Sequence, residues 1–144
     1  MTEQEQITKQ LKELPHIRTN INDRREQYPY AWWICLDFEE DPVDPIQSHK
    51  MCFGWLRHVA RFNEAHLAPY VSVEPLHTGK RQSVHVILLS DTYIRQDVLS
   101  ESWKHGFGYV RQYDPKQLGV EYMFNHHIGF SSHVVCHGKK PCRV

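Results

Sequence analysis

The chain has 144 residues, with 17 basic and 17 acidic side chains, and 40% of its residues are hydrophobic. These values suit one folded domain over residues 1–144, and they exclude both a disordered chain and a protein that attracts nucleic acid through its overall charge. The polar amino terminus carries no secretory signal, apolar runs fall short of the roughly 20 residues of a membrane helix, and the four cysteines are widely spaced. We therefore expect a cytoplasmic protein with reduced thiols.

The amino-terminal half predicts two helices with a strand between them. Residues 2–14 carry apolar side chains at helical spacing, and Thr2 with Glu5 fits a capping box at the start of that helix. Residues 30–37 (YAWWICLD) are aromatic and aliphatic, which suits a central strand. Residues 47–67 carry a wide apolar stripe that is typical of a long helix.

Two short runs then predict an antiparallel hairpin. Residues 70–75 begin with alternating polar and apolar side chains, and so do residues 83–89 (SVHVILL). A loop containing Gly79 joins the two runs. We expect Val84 and Val86 to be buried beneath the preceding long helix.

The last third predicts four more elements. Residues 94–104 form a helix, 107–113 a strand, 115–127 a helix and 130–136 a final strand. A hairpin inside a helix-containing order argues against an all-parallel sheet. The sequence therefore predicts the α+β class, with a ferredoxin-like or RRM-like antiparallel sheet and helices packed on one face.

A polar face of the predicted hairpin is a candidate metal site. Strand alternation turns Glu74 and His85 toward a common surface. A carboxylate and an imidazole on neighbouring antiparallel strands can share a divalent cation such as Mg²⁺ or Mn²⁺. The alternative is that the two side chains hydrogen-bond to each other or to water.

The helix predicted at 115–127 carries a second candidate cluster. Tyr122 lies on the same side of that helix as Asn125 and His126. A tyrosine that faces a metal-bearing sheet can attack a phosphodiester and form a covalent phosphotyrosyl link. Because tyrosine has an unperturbed pKa of about 10, such a nucleophile needs a nearby cation or base. The alternative is an amphipathic helix whose tyrosine packs at the edge of the core.

Two segments, VSVEPLHTGKRQSVHVILL and WKHGFGYVRQYDPKQLGVEYMFNHHI, resemble in their order the motifs of the HUH endonucleases, the superfamily of rolling-circle replication initiators. The resemblance covers about residues 30–130 and implies the RRM-like sheet of that family. It also implies metal-dependent nicking and joining of single-stranded DNA. By position, Tyr122 is the implied nucleophile, and Glu74 and His85 are implied ligands of Mg²⁺ or Mn²⁺.

The sequence departs from the family pattern at two positions. Ser83 stands where the family has the first histidine of a His-apolar-His pair, and Asn125 stands where it has a lysine. The resemblance therefore implies a weakened metal site unless His77, His126 or His127 supplies the missing ligand. Three interpretations stay open: an active nicking enzyme, a catalytically degenerate module that binds single-stranded nucleic acid, and a structural or regulatory protein.

Basic residues near the predicted strand at 107–113 are candidates for binding single strands. Lys104, Arg111 and Lys116 have aromatic neighbours on which bases can stack. The alternative is ordinary exposed charge.

The carboxyl-terminal residues offer a further alternative. A zinc site at the end of the chain would use four side chains, His133, Cys136, His137 and Cys142. Their spacing lacks the paired knuckles of common zinc modules, which favours an ordinary basic tail over residues 137–144.

Overall fold

The computed structural model describes residues 18–40, 44–73, 82–114, 128–131 and 135–136, together with Thr2 and Glu5. Within these residues the strands are β1 (Tyr30–Asp37), β2 (Leu67–Val73), β3 (Ser83–Ser90), β4 (Gly108–Gln112) and β5 (Ile128–Ser131). The helices are α1, seen over residues 18–24, α2 (Pro45–Phe62) and α3 (Gln96–Ser102).

The five described strands form one sheet in the order β4-β1-β3-β2-β5, and every neighbouring pair is antiparallel. The chain order from β1 to β4 is strand, helix, strand, strand, helix, strand, with β1 and β3 at the centre. This arrangement is the split βαβ unit of the ferredoxin-like fold. The predicted α+β class and antiparallel sheet are confirmed.

The predicted hairpin is confirmed. Strands β2 and β3 pair antiparallel, with Val73 opposite Val84 and Val71 opposite Val86. Both predicted core residues are fully buried and pack with the apolar side of α2. The connection between the two strands, residues 74–81, lies outside the described residues.

Helix α2 ends earlier than the sequence pattern predicts. Asp44 caps its start by accepting a hydrogen bond of 2.8 Å from the Gln47 amide. At its other end the side-chain amide of Asn63 donates to the Val59 carbonyl, and Glu64 adopts a positive φ of 51°. These two residues end the helix at Phe62 and turn the chain into β2, so the predicted helix over 47–67 is too long.

One face of the sheet is closed by α2 and α3, as predicted. Two tryptophans tie these helices to each other and to the sheet, in addition to apolar packing. The Trp55 Nε1 donates to Ser102 Oγ at 2.7 Å, and the Trp103 Nε1 donates to the Asp37 carbonyl at 2.7 Å. Each bond satisfies a buried indole N–H, which the core would otherwise leave without an acceptor.

The opposite face carries a smaller apolar cluster, to which α1 contributes. Ile21 of α1 is buried with Tyr70, Ile87 and Leu89 of the sheet. This helix was not predicted, because its short sequence has no apolar stripe. Of the helix predicted at 2–14, the described contact is the expected cap, in which the Glu5 amide donates to Thr2 Oγ1 at 3.2 Å.

The described residues test some of the predictions for the carboxyl-terminal end and for the cysteines, but not all of them. The predicted helix over 115–127 lies outside the described residues, and β5 pairs with β2 as the last strand. Cys35 and Cys52 are reduced, whereas Cys136 is disulfide-bonded, so the prediction of reduced thiols is wrong for Cys136. Two backbone hydrogen bonds between Val135 and Leu67 of β2 hold the chain beside this cysteine.

None of the helices in the described part of the chain combines the length and the apolar character that crossing a membrane requires.

Candidate functional site

The face of the sheet opposite α2 and α3, here called the second face, carries the candidate site. Directly paired residues of an antiparallel sheet point to the same side. Cys35 pairs with both Tyr109 and His85, and His85 pairs with Ser72. These four residues therefore form one row across β4, β1, β3 and β2 on the second face.

A neighbouring row on the same face contains Arg111, Trp33, Ile87 and Tyr70. Exposure falls steadily from β4 toward β2 along both rows. Arg111 is exposed and Trp33 is half-buried, whereas Ile87 and Tyr70 are buried. The second face is therefore open to solvent at the β4 edge and closed toward β2.

His85 occupies the closed part of this face. It is 7% exposed, and its ring centroid lies 5.4 Å from that of Trp33 with the planes tilted by 31°. Strand alternation predicts this orientation, away from α2, but it does not predict the burial. In this position the imidazole packs beside an aromatic ring. It can bind a metal ion only if that ion reaches the closed half of the second face.

A carboxylate lies at the end of the same face. Asp37 pairs with Ser83, two positions before His85 in β3, and both residues are half-buried. The Asp37 amide donates to the Phe107 carbonyl at 2.8 Å, which holds the end of β1 against the start of β4. The sequence placed Asp37 at the end of the predicted strand, but Asp37 was not among the predicted site residues. The alternation of Trp33, Cys35 and Asp37 was the signal that could have found it.

Lys104 lies near this end of the sheet, exposed in the segment between α3 and β4. The next residue accepts a backbone hydrogen bond of 2.6 Å from the Glu39 amide. A Cβ at Gly106 would overlap the Asp37 carbonyl oxygen, so only glycine permits this close approach. Lys104 is therefore carried on a segment packed against the end of β1, whereas Arg111 lies on the second face itself.

The remaining predicted site residues lie outside the described residues. They are Glu74, His77, Lys116, Tyr122, Asn125, His126 and His127. Glu74 follows Val73 in sequence, and Val73 is the last residue paired with β3. Among the described residues, no three histidine, cysteine, aspartate or glutamate side chains are grouped to hold a metal ion. The predicted metal site thus stays a prediction.

Three other nucleophilic groups in the described residues are deactivated by burial. Burial raises the pKa of Tyr70, which Arg24 partly offsets, and burial likewise raises the pKa of Tyr113. Burial also raises the pKa of the Cys52 thiol. These groups stay protonated near neutral pH and serve packing. Tyr109, by contrast, is 62% exposed on the open part of the second face and is available to stack on a base.

Comparison with known proteins bears on the fold alone. No protein-family model and no curated protein matches the chain. Among solved structures, the crystal structure of the hypothetical protein ORF119 from Sulfolobus islandicus rod-shaped virus 1 is similar, with a TM-score of 0.50 and 11% sequence identity. The match covers 81% of this chain and 92% of the viral protein. It agrees with the ferredoxin-like architecture described above.

Proposed function

We propose that the chain is an HUH-type protein that binds single-stranded DNA and nicks and rejoins it through Tyr122 with a divalent metal. The observation that carries the proposal is the register of the central hairpin. Val73 lies opposite Val84, so the sequence positions of Glu74 and Ser83 adjoin that pair at one end of the sheet. This end also carries Asp37, and His85 follows one pair further into β3.

The residues in this region fit a hard divalent cation. Asp37 brings a carboxylate to the same face as His85, and oxygen with imidazole nitrogen suits Mg²⁺ or Mn²⁺. Glu74 and His77 complete the proposed ligand set, and Ser83 contributes a neutral hydroxyl, which is a weaker donor. When bound, the metal supplies Lewis-acid polarisation of the phosphate oxygens.

The proposed reaction is a phosphoryl transfer to tyrosine. The Tyr122 oxygen, having lost its proton to a nearby base, bonds to phosphorus. The bond from phosphorus to the leaving sugar oxygen breaks, and that oxygen takes up a proton. Joining is the reverse reaction, in which a sugar hydroxyl attacks the phosphotyrosine and releases the tyrosine. Atoms and charge balance without an oxidant or a further reactant.

The open part of the second face supports single-strand binding. Tyr109 and Trp33 present aromatic rings, and Arg111 lies directly opposite Trp33 on the exposed edge strand. Stacking on aromatic rings and contact between cations and phosphates are the two interactions that hold single strands on sheet surfaces. His85 lies in the row next to Trp33, so a strand bound there would lead toward the proposed metal site.

The decisive test is the formation of a covalent protein–DNA adduct. Wild type and Tyr122→Phe would be incubated with pooled single-stranded oligonucleotides and Mn²⁺, then separated under denaturing conditions. We expect an adduct with wild type that is absent with Tyr122→Phe, since the substitution removes one oxygen. Equal adducts from both proteins would place the nucleophile elsewhere.

A second candidate function is a binding module that has lost catalysis. The burial of His85 to 7% exposure favours it, because a metal ion held by His85 would also have to contact the phosphate of the substrate. Absence of an adduct across metals and pH values, together with retained binding of single strands, would establish this alternative over the nuclease.

A further inference from the structure

Helix α2 carries an unbalanced charge on its outer side. Its exposed cations are Lys50, Arg57 and Arg61, and the helix contains neither aspartate nor glutamate between its first and last residues. The whole chain, by contrast, has 17 residues of each sign. We call these three residues the cationic stripe.

Helical geometry aligns the stripe along one line. At about 100° per residue, Lys50, Arg57 and Arg61 lie within about 40° of one another around the helix axis, and they extend over about 17 Å. The buried residues Cys52, Leu56 and Val59 lie on the opposite side of α2, against the sheet. The stripe therefore points directly away from the core.

Gly54 lies about 20° beyond the edge of this arc, between Lys50 and Arg57 in the sequence, and it is half-buried. Glycine is disfavoured in the interior of a helix, and packing within the molecule does not demand it here. Among the described atoms outside the helix backbone, a Cβ at this position would meet Arg57 Nη2 at 3.9 Å, an ordinary contact. The glycine leaves a shallow gap beside the cations, where a larger side chain would stand between the helix and a bound partner.

In the part of the chain that the structure describes, no carboxylate forms an ion pair with the stripe. Among the described residues, the ion pair is that of Arg95 with Asp97, and it lies at the start of α3. We propose that the cationic stripe of α2 binds the phosphate backbone of duplex DNA. This surface lies across the sheet from the second face, and the proposal stands whether or not Tyr122 is a nucleophile.

The composition of the stripe favours duplex DNA over other anionic partners. The core of a protein interface is apolar and depleted of charge, whereas the stripe has three cations, and the exposed apolar side chain beside it is that of Ile46, one turn before Lys50. Single strands bind through base stacking on aromatic rings, but the exposed rings of α2, His58 and Phe62, lie about 60° and 100° around the axis from Arg61. Contacts with a duplex backbone require cations alone.

The test uses the full chain, a blunt duplex and a single strand of the same sequence, with binding followed by fluorescence anisotropy over a range of KCl concentrations. We expect the combined variant Lys50→Gln, Arg57→Gln, Arg61→Gln to bind the duplex more weakly. The slope of log affinity against log salt should become shallower by about 0.9 for each cation removed. Single-strand binding should change little. A thermal melt by circular dichroism confirms that the variant is folded.

Two matched comparisons sharpen the result. Arg57→Gln removes a cation of the stripe, whereas Arg95→Gln removes an exposed cation that is already paired with Asp97; the first should weaken duplex binding more than the second. Gly54→Gln fills the gap and should weaken duplex binding relative to Gly54→Ala.

Three outcomes would overturn the proposal. Unchanged duplex affinity and salt slope in the combined variant would mean that the stripe does not contact DNA. Equal losses for duplex and single strand would mean that the surface does not select duplex. If polyglutamate displaces the duplex when both are present at the same concentration of charge, the partner of the stripe would be an acidic protein instead. The assay contains no metal and leaves Tyr122 intact, so its failure is distinct from failure of the nicking reaction.

Discussion

Ser83 is the residue that most directly controls the proposed metal site. It is half-buried, pairs with Asp37 and precedes His85 by two positions on the same face. Ser83→His adds an imidazole donor beside two existing ligand candidates, so we expect Mn²⁺ to bind roughly tenfold more tightly, about 1.4 kcal/mol. Isothermal titration calorimetry measures this difference.

Ser83→Ala is the matched control, since it removes the hydroxyl and adds no donor. We expect it to bind Mn²⁺ no better than wild type. If the histidine variant also binds like wild type, the metal does not bind at this end of the sheet.

At the residue scale, the sequence predicted side-chain direction better than burial. Alternation along β3 correctly turned Val84 and Val86 toward α2 and His85 away from it. It could not show that His85 would be nearly covered, because burial depends on the residues that lie over the strand. Asp37 was within reach of the same argument, because it ends the predicted strand, but it was not considered as a metal ligand.

At the element scale, helix α2 offers a test of the inference that Gly54 is not required by packing. Gly54→Ala restricts the unfolded chain and adds a methyl group that meets Arg57 only at van der Waals distance. We expect it to raise the free energy of unfolding by about 0.5–1 kcal/mol. Urea denaturation followed by circular dichroism measures the change.

Gly106→Ala provides the opposite case. Its Cβ would overlap the Asp37 carbonyl oxygen and lie 2.9 Å from the Glu39 nitrogen, which are backbone atoms that cannot move independently. We expect a clear loss of stability, on the order of 1–3 kcal/mol, as for other overpacked sites. If both substitutions changed the free energy of unfolding in the same direction, one of the two glycines would not have the neighbours described above.

The sequence patterns predicted those elements whose own residues form an apolar run or an apolar stripe. Strand β1 was predicted with the bounds that it has, Tyr30–Asp37, because its run is apolar or aromatic as far as Leu36. Helix α1 was missed because, among its residues 18–24, the single apolar side chain is Ile21. Its contacts to Tyr70, made by Asn20 and Arg24, are tertiary and invisible to a periodicity argument.

At the scale of the whole molecule, the two faces of the sheet are closed to different extents. Helices α2 and α3 cover one face, whereas the second face is open at its β4 edge. The ferredoxin-like order puts β4 beside β1, so aromatic and cationic side chains of these two strands share one accessible surface. The fold thus separates a surface suited to single strands from the cationic stripe on the outer side of α2.

This separation predicts which residues of β4 affect binding of single-stranded DNA. Tyr109 and Arg111 point to the second face, whereas Gln112 pairs with Trp32 and points to the other. Tyr109→Ala should weaken binding of a single-stranded oligonucleotide by about 1–3 kcal/mol, the usual contribution of one stacked base. Arg111→Gln should weaken binding and flatten its salt dependence by about 0.7, the value for one phosphate contact on a single strand.

The matched control is Gln112→Ala, because this residue is exposed on the same edge strand but lies on the opposite side of it. We expect this variant to bind the oligonucleotide like wild type. Fluorescence anisotropy at several salt concentrations separates stacking, which salt affects little, from the phosphate contact, which salt screens. Equal effects at all three positions would mean that the edge as a whole contributes and that the second face has no special role. Wild-type affinity at Tyr109→Ala and Arg111→Gln would move the single-strand site away from β4, because these two side chains form the most accessible part of the second face.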